Sequence, residues 1–202
     1  MNWYEWCRML TNLDTVFYQN ADTVHNNQLT KKKGLKISEK TEWLLISINP
    51  GHGHWSLAIV PLKQNKTEKE VQVYHLDSLG GSHSGGHATK QVRNAVKTTL
   101  KLVDKSRSDN KTLHHKKTLS IQNIQCSVQK NGNVDCALFV CKYMEAFIRR
   151  ISDVRRNNKI SILDLMKGTA SDVHVDNLLQ FRQEMSIWLL KTSVLVNSEH
   201  TA

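Results

Sequence analysis

Apolar positions along the chain fall into short runs whose period changes from one stretch to the next. Trp3, Trp6, Cys7, Leu10 and Phe17 recur near helical spacing with Leu13 on the same side, which predicts an N-terminal amphipathic helix. Residues 20–41 are polar and lysine-bearing, with Gly34 among them, and read as a surface connection. Trp43 to Ile48 is then almost continuously apolar, and Trp55 to Val60 is a second such run. Val71 to Leu76 alternates, placing Val71, Val73, His75 and Asp77 on one face of a third strand. The polar stretch 64–70 suits a hairpin loop, so an antiparallel central pairing is expected.

Beyond the glycine- and histidine-rich connection from Gly80 to His87, which lacks phosphate-loop spacing, Val92, Ala95, Val96, Thr99, Leu100 and Val103 share a helical face. Residues 105–118, with His114 and His115, read as exposed charged loop, and Ile121, Ile124 and Cys126 as the apolar members of a strand over 120–128. The turn formers Asn131, Gly132 and Asn133 follow. Ala137, Val140, Met144 and Phe147 then predict a helix from Cys136 to about Arg150. A short helical turn at 161–166 and a helix over 177–191, carrying Leu178, Phe181, Met185, Trp188 and Leu189 on one face, precede a frayed end from about residue 196. These elements predict an α+β class. The 202 residues suit one domain, 1–202, with no internal repeat or boundary.

Composition narrows the setting. No apolar run approaches the roughly 18 residues of a membrane span, and the chain does not open on a basic-then-apolar leader. The four cysteines, Cys7, Cys126, Cys136 and Cys141, lack CxxC pairing, which points to a reducing compartment, nucleus or cytoplasm. Zinc-ligand spacing is absent, and neither metal nor cofactor is expected. A net charge of +10 favours acidic partners, yet no nucleic-acid-binding signature accompanies it.

The chemistry concentrates at Cys136. A thiol at a helix N-terminus meets unpaired backbone N–H groups and the positive end of the macrodipole, which lower its pKa. A buried, inert cysteine is the alternative. Upstream, His54 and Trp55 enter one strand, and Asp77 closes another before Ser78-Leu79-Gly80-Gly81. Thiolate, imidazole and an orienting carboxylate make a cysteine-protease set.

Three segments carry a more specific signal: Gly53-His54-Trp55-Ser56-Leu57-Ala58-Ile59-Val60, Tyr74-His75-Leu76-Asp77-Ser78-Leu79-Gly80-Gly81 and Asp135-Cys136-Ala137-Leu138-Phe139-Val140. In the order His, Asp, Gln, Cys, the chain resembles the ubiquitin-like-protein-specific cysteine proteases, the SUMO (sentrin-specific) protease family related to adenovirus proteinase. The resemblance implies a papain-like fold with a mostly antiparallel central sheet flanked by helices. It also implies cleavage after the C-terminal Gly-Gly of SUMO or a related modifier by a monomeric catalytic domain acting on modifier conjugates. Its implied roles are Cys136 as nucleophile, His54 as base, Asp77 as orienting group, Gln129 as oxyanion donor and Trp55 as a wall of the channel for the Gly-Gly tail. Trp55 read alone is equally a core aromatic. Three features depart from the family pattern. Gln129 stands seven residues before Cys136 rather than six, with Lys130 in the usual place, and an extra residue such as Asn133 would restore its position. Ala137 replaces a glycine, and the N-terminal Trp-Leu segment has no counterpart beyond Trp3 or Trp6. Two other readings stay open: an acetyltransferase using the same catalytic set, and an inactive homologue that binds the modifier.

Overall fold

The computed structural model describes residues 15–19, 41–49, 54–63, 69–80, 86–106, 114–129, 135–156, 160–176, 178–184 and 186–187. Its centre is a five-stranded sheet in sequence order: β1 (Thr15–Gln19), β2 (Trp43–Asn49), β3 (Ser56–Pro61), β4 (Glu70–Leu76) and β5 (Thr118–Ile124). The three inner strands pair antiparallel, as the intervening polar stretch predicts, while β1 and β5 join parallel at the two edges. Among the described residues, helices α1 (Gly86–Ser106), α2 (Cys136–Arg156) and α3 (Ile162–Ser171) flank the sheet, and residues 178–184 are also helical.

The apolar runs of β2 and β3 are continuous because both faces of the sheet are covered. Leu44, Ile46, Ala58, Val60, Val71 and Val73 pack with the α1 stripe of Val92, Ala95, Val96, Leu100 and Val103. Leu45, Leu57, Ile59, Tyr74 and Leu76 face the other way, against Phe139, Val140, Tyr143, Met144 and Phe147 of α2 and Leu165 and Met166 of α3. Alternate side chains of each strand thus serve two cores.

Five sequence expectations change, the first being the last strand, which runs Thr118–Ile124 rather than 120–128 and leaves Cys126 beyond it. Thr15–Gln19 is a strand rather than the end of a helix, as its β-branched and aromatic residue types favour, and it pairs parallel to β2 with Phe17 in register with Ser47. The remainder of that predicted helix, with Trp3 and Trp6, lies outside the described residues. Residues 114–116 form a 3₁₀ turn rather than exposed loop, with His114 buried against Asp104 of α1 at 2.8 Å. α2 runs on to Arg156, and the short turn at 161–166 is the start of the ten-residue α3. Ser161 caps α3 by accepting the Asp164 N–H at 3.1 Å, and Arg150 of α2 grips Asp172 through two bonds of 2.7 and 2.6 Å at its far end.

Candidate active site

Strand directions gather the sequence motifs at one end of the sheet. β3 starts where antiparallel β4 finishes, with Leu57 opposite Leu76, and β5 runs parallel to β4 with Ile124 also opposite Leu76. Residues just before Ser56, just after Leu76 and just after Ile124 are therefore neighbours. The N-terminus of α2, packed on β3, brings Cys136 to the same place.

His54 is buried, and its Nε2 lies 2.7 Å from Asp77 Oδ1. A carboxylate only accepts, so Nε2 carries a proton and Nδ1 is the nitrogen left for Cys136. Asp77 Oδ1 also accepts the Leu79 N–H at 2.9 Å. Burial works against the Asp77 charge, but these two donors prevail and hold its carboxyl below the usual range. For His54, burial lowers the pKa, while hydrogen bonds with Asp77 and Cys136 overcome it and raise the value to about 9. Cys136 is the mirror case. Burial disfavours its thiolate, yet the His54 imidazole and the backbone N–H groups of Trp55 and Ala137 bring its pKa down. The pair is thus poised as thiolate and imidazolium. The other described cysteines move oppositely: burial raises Cys126 and pushes Cys141 up to about 11.

Gln129 joins the cluster from the stretch that follows β5. Its backbone N–H donates to the Ser78 carbonyl at 2.8 Å, and its side-chain Oε1 accepts the Ser78 hydroxyl at 3.1 Å. That arrangement fixes the amide and turns its NH₂ end away from Ser78. The expected bulge involving Lys130 and Asn133 lies outside the described residues. Gly80, at φ +65°, closes the turn after Asp77 under Val128, whose Cγ2 would stand 3.1 Å from a Cβ there. Trp55 is half-buried and packs on the α2 side of the core, while its N–H serves the Cys136 sulfur.

Behind the site, His75 Nδ1 bonds Asn123 at 3.0 Å and Nε2 bonds Ser56 at 2.9 Å, pinning β4 to both flanking strands. Burial lowers its pKa. Among the described residues, no three His, Cys, Asp or Glu side chains are grouped to hold a metal ion.

Sequence reading missed three contributors. Ser78 was visible only as a turn residue, and the Trp55 N–H has no residue-type signal at all. The ion pair between Asp135 and Arg182 joins positions 47 apart in sequence.

The model of the Ulp1 protease family, C-terminal catalytic domain, matches residues 10–187. A probable ubiquitin-like-specific protease 2A of Arabidopsis thaliana is 29% identical over 151 residues, covering 70% of this chain. The chain spans only 19% of that relative's length. Among solved structures, the SUMO protease Ulp1 with its catalytic cysteine oxidised to a sulfenic acid is 20% identical, with 78% of this chain and 65% of that one covered at a TM-score of 0.40. Xanthomonas XopD is 16% identical, with 86% and 85% covered at a TM-score of 0.45.

Proposed function

The chain belongs to the Ulp1 protease family, whose members are cysteine peptidases acting on ubiquitin-like proteins, and from that premise we propose that Cys136, His54 and Asp77 cleave after the C-terminal Gly-Gly of SUMO or a related modifier. The observation that carries this reading is the 2.7 Å His54–Asp77 bond with Cys136 hydrogen-bonded to the same imidazole.

Each step uses a group already described. The Cys136 thiolate attacks the carbonyl carbon of the terminal glycine, and the electron pair moves to the carbonyl oxygen. The Gln129 NH₂ and the Cys136 backbone N–H would receive that oxyanion. His54 then gives its Nδ1 proton to the departing amine, leaving a thioester on Cys136. Water, deprotonated by His54, releases the modifier carboxylate and restores the thiolate. Asp77 keeps the ring oriented and its positive form stabilised throughout.

The modifiers themselves, tipped with a vinyl sulfone, test the proposal. SUMO should be captured covalently on Cys136, and Cys136→Ala should abolish both capture and hydrolysis while retaining modifier binding. Binding without capture by the unaltered chain would mark an inactive homologue, and acetyl transfer from acetyl-CoA to Cys136 would mark a transferase. Gln129→Ala should reduce kcat about 10²–10³-fold, the usual effect of losing one oxyanion donor. A change of only a few-fold would remove Gln129 from that role.

A further inference from the structure

Asp135 immediately precedes Cys136 and accepts the Phe139 N–H at 3.0 Å through its carbonyl, so it caps the helix that carries the thiol. Asp135 is also 8% exposed, and a nearly buried carboxylate beside a thiolate is a like charge in a place where water screens it poorly. It could in addition turn to the N–H groups of the first turn of α2, as N-cap aspartates do, and so compete for donors that serve the sulfur. Here it does neither. Its Oδ1 is engaged by the Arg182 guanidinium, reaching across from the helical stretch 178–184.

Resting on Cys136 as nucleophile, we infer that Arg182 is a positioning residue for catalysis: it neutralises Asp135 and holds that carboxylate away from the Cys136 thiolate. The helix bearing Arg182 is itself held on α2, since Lys142 lies 4.4 Å from the Phe181 ring centroid while also pairing with Glu145 at 2.8 Å. The charged group acting directly on the sulfur is His54, with Asp77 behind it; Lys142 and Glu145 lie further along α2, and Asp135, next to Cys136 in the chain, is paired with Arg182. As a half-exposed ion pair it adds little to stability. Its effect falls on the neighbouring charge.

The pH dependence of Cys136 alkylation by iodoacetamide tests this without any substrate. Arg182→Gln should move the alkylation midpoint up by about 0.5–1 pH unit, the size of one unit charge acting near the protein surface. Arg182→Lys should stay close to the unaltered chain. Asp135→Asn should shift the midpoint down, and adding it to Arg182→Gln should cancel most of the upward shift. An unmoved midpoint in Arg182→Gln, or an equal rise in the single and double variants, overturns the inference. Thermal melting checks that Arg182→Gln folds, and if it does not, an unchanged or raised midpoint in Asp135→Asn is decisive against the idea. Failure of the catalytic reading would look different: Cys136 in the unaltered chain would alkylate with the profile of an ordinary thiol.

Discussion

At the scale of the residue, the site is two proton-transfer groups whose surroundings push their pKa values in opposite directions. Cys136 is driven down and His54 up, so the reactive form spans the interval between them. The rate should rise with pH as Cys136 ionises and fall near pH 9 as His54 loses the proton needed by the leaving amine. Asp77→Asn removes a main cause of the raised imidazole pKa. We therefore expect its alkaline limb to move towards neutrality, with kcat lower by less than the roughly 10⁴-fold of the serine-protease case, because the thiolate ionises more readily than a serine hydroxyl. A pH–rate profile with an unmoved alkaline limb would remove Asp77 from this role. Stability follows the same signs. Asp77, depressed in the fold, contributes above the carboxylate range and loses that contribution as pH falls, whereas raised His54 contributes below about 6.5 and loses it as pH climbs through about 9. The grouping of His54, Asp77 and Cys136 was legible because each stands in one of the three segments that carry the family resemblance. Ser78 and the Trp55 N–H were not, since holding an amide or lending a backbone donor requires no distinctive side chain.

At the scale of the element, β2, β3 and β4 were legible within a residue or two because two-sided burial writes nearly continuous apolar text. The 3₁₀ turn at 114–116 was hidden by composition. His114 and His115 look like loop residues among lysines, but His114 is buried between Asp104 and the Leu62 carbonyl, and half-buried His115 binds the same carboxylate, ten and eleven residues earlier in the chain. Asp104 receives the two imidazoles at 2.8 and 2.6 Å and the His115 N–H at 2.9 Å. Burial raises its pKa, but those donors outweigh it and hold the carboxyl below its ordinary value. Asp104→Asn should cost about 2–4 kcal/mol at neutral pH, given the worth of hydrogen bonds to a buried charge. Because a depressed carboxyl stabilises only above its folded pKa, the gap from the unaltered chain should narrow as pH falls. Urea midpoints at neutral and acid pH would show this. Equal midpoints at neutral pH would mean the histidines are held without the carboxylate.

At the scale of the whole molecule, a parallel strand at each edge of an antiparallel centre brings β3, β4 and β5 to one end and leaves α2 to deliver Cys136 there. That convergence was not readable from local periodicity, which reports faces of elements but not their neighbours. Net charge, by contrast, was readable from composition alone. With 28 basic and 18 acidic residues, the chain carries +10, a field that would accelerate encounter with an acidic modifier over distances longer than any contact. Screening shortens that reach from about 30 Å at 0.01 M salt to about 8 Å at 0.15 M. For SUMO substrates, kcat/KM should therefore fall by about tenfold over this interval, chiefly through KM and the association rate, with kcat nearly constant. A short Gly-Gly peptide substrate offers no extended charged surface and should show little change over the same series. If salt depresses both substrates equally, the charge acts at the catalytic pair rather than on the approach of the modifier, and the basic surface has no part in choosing it.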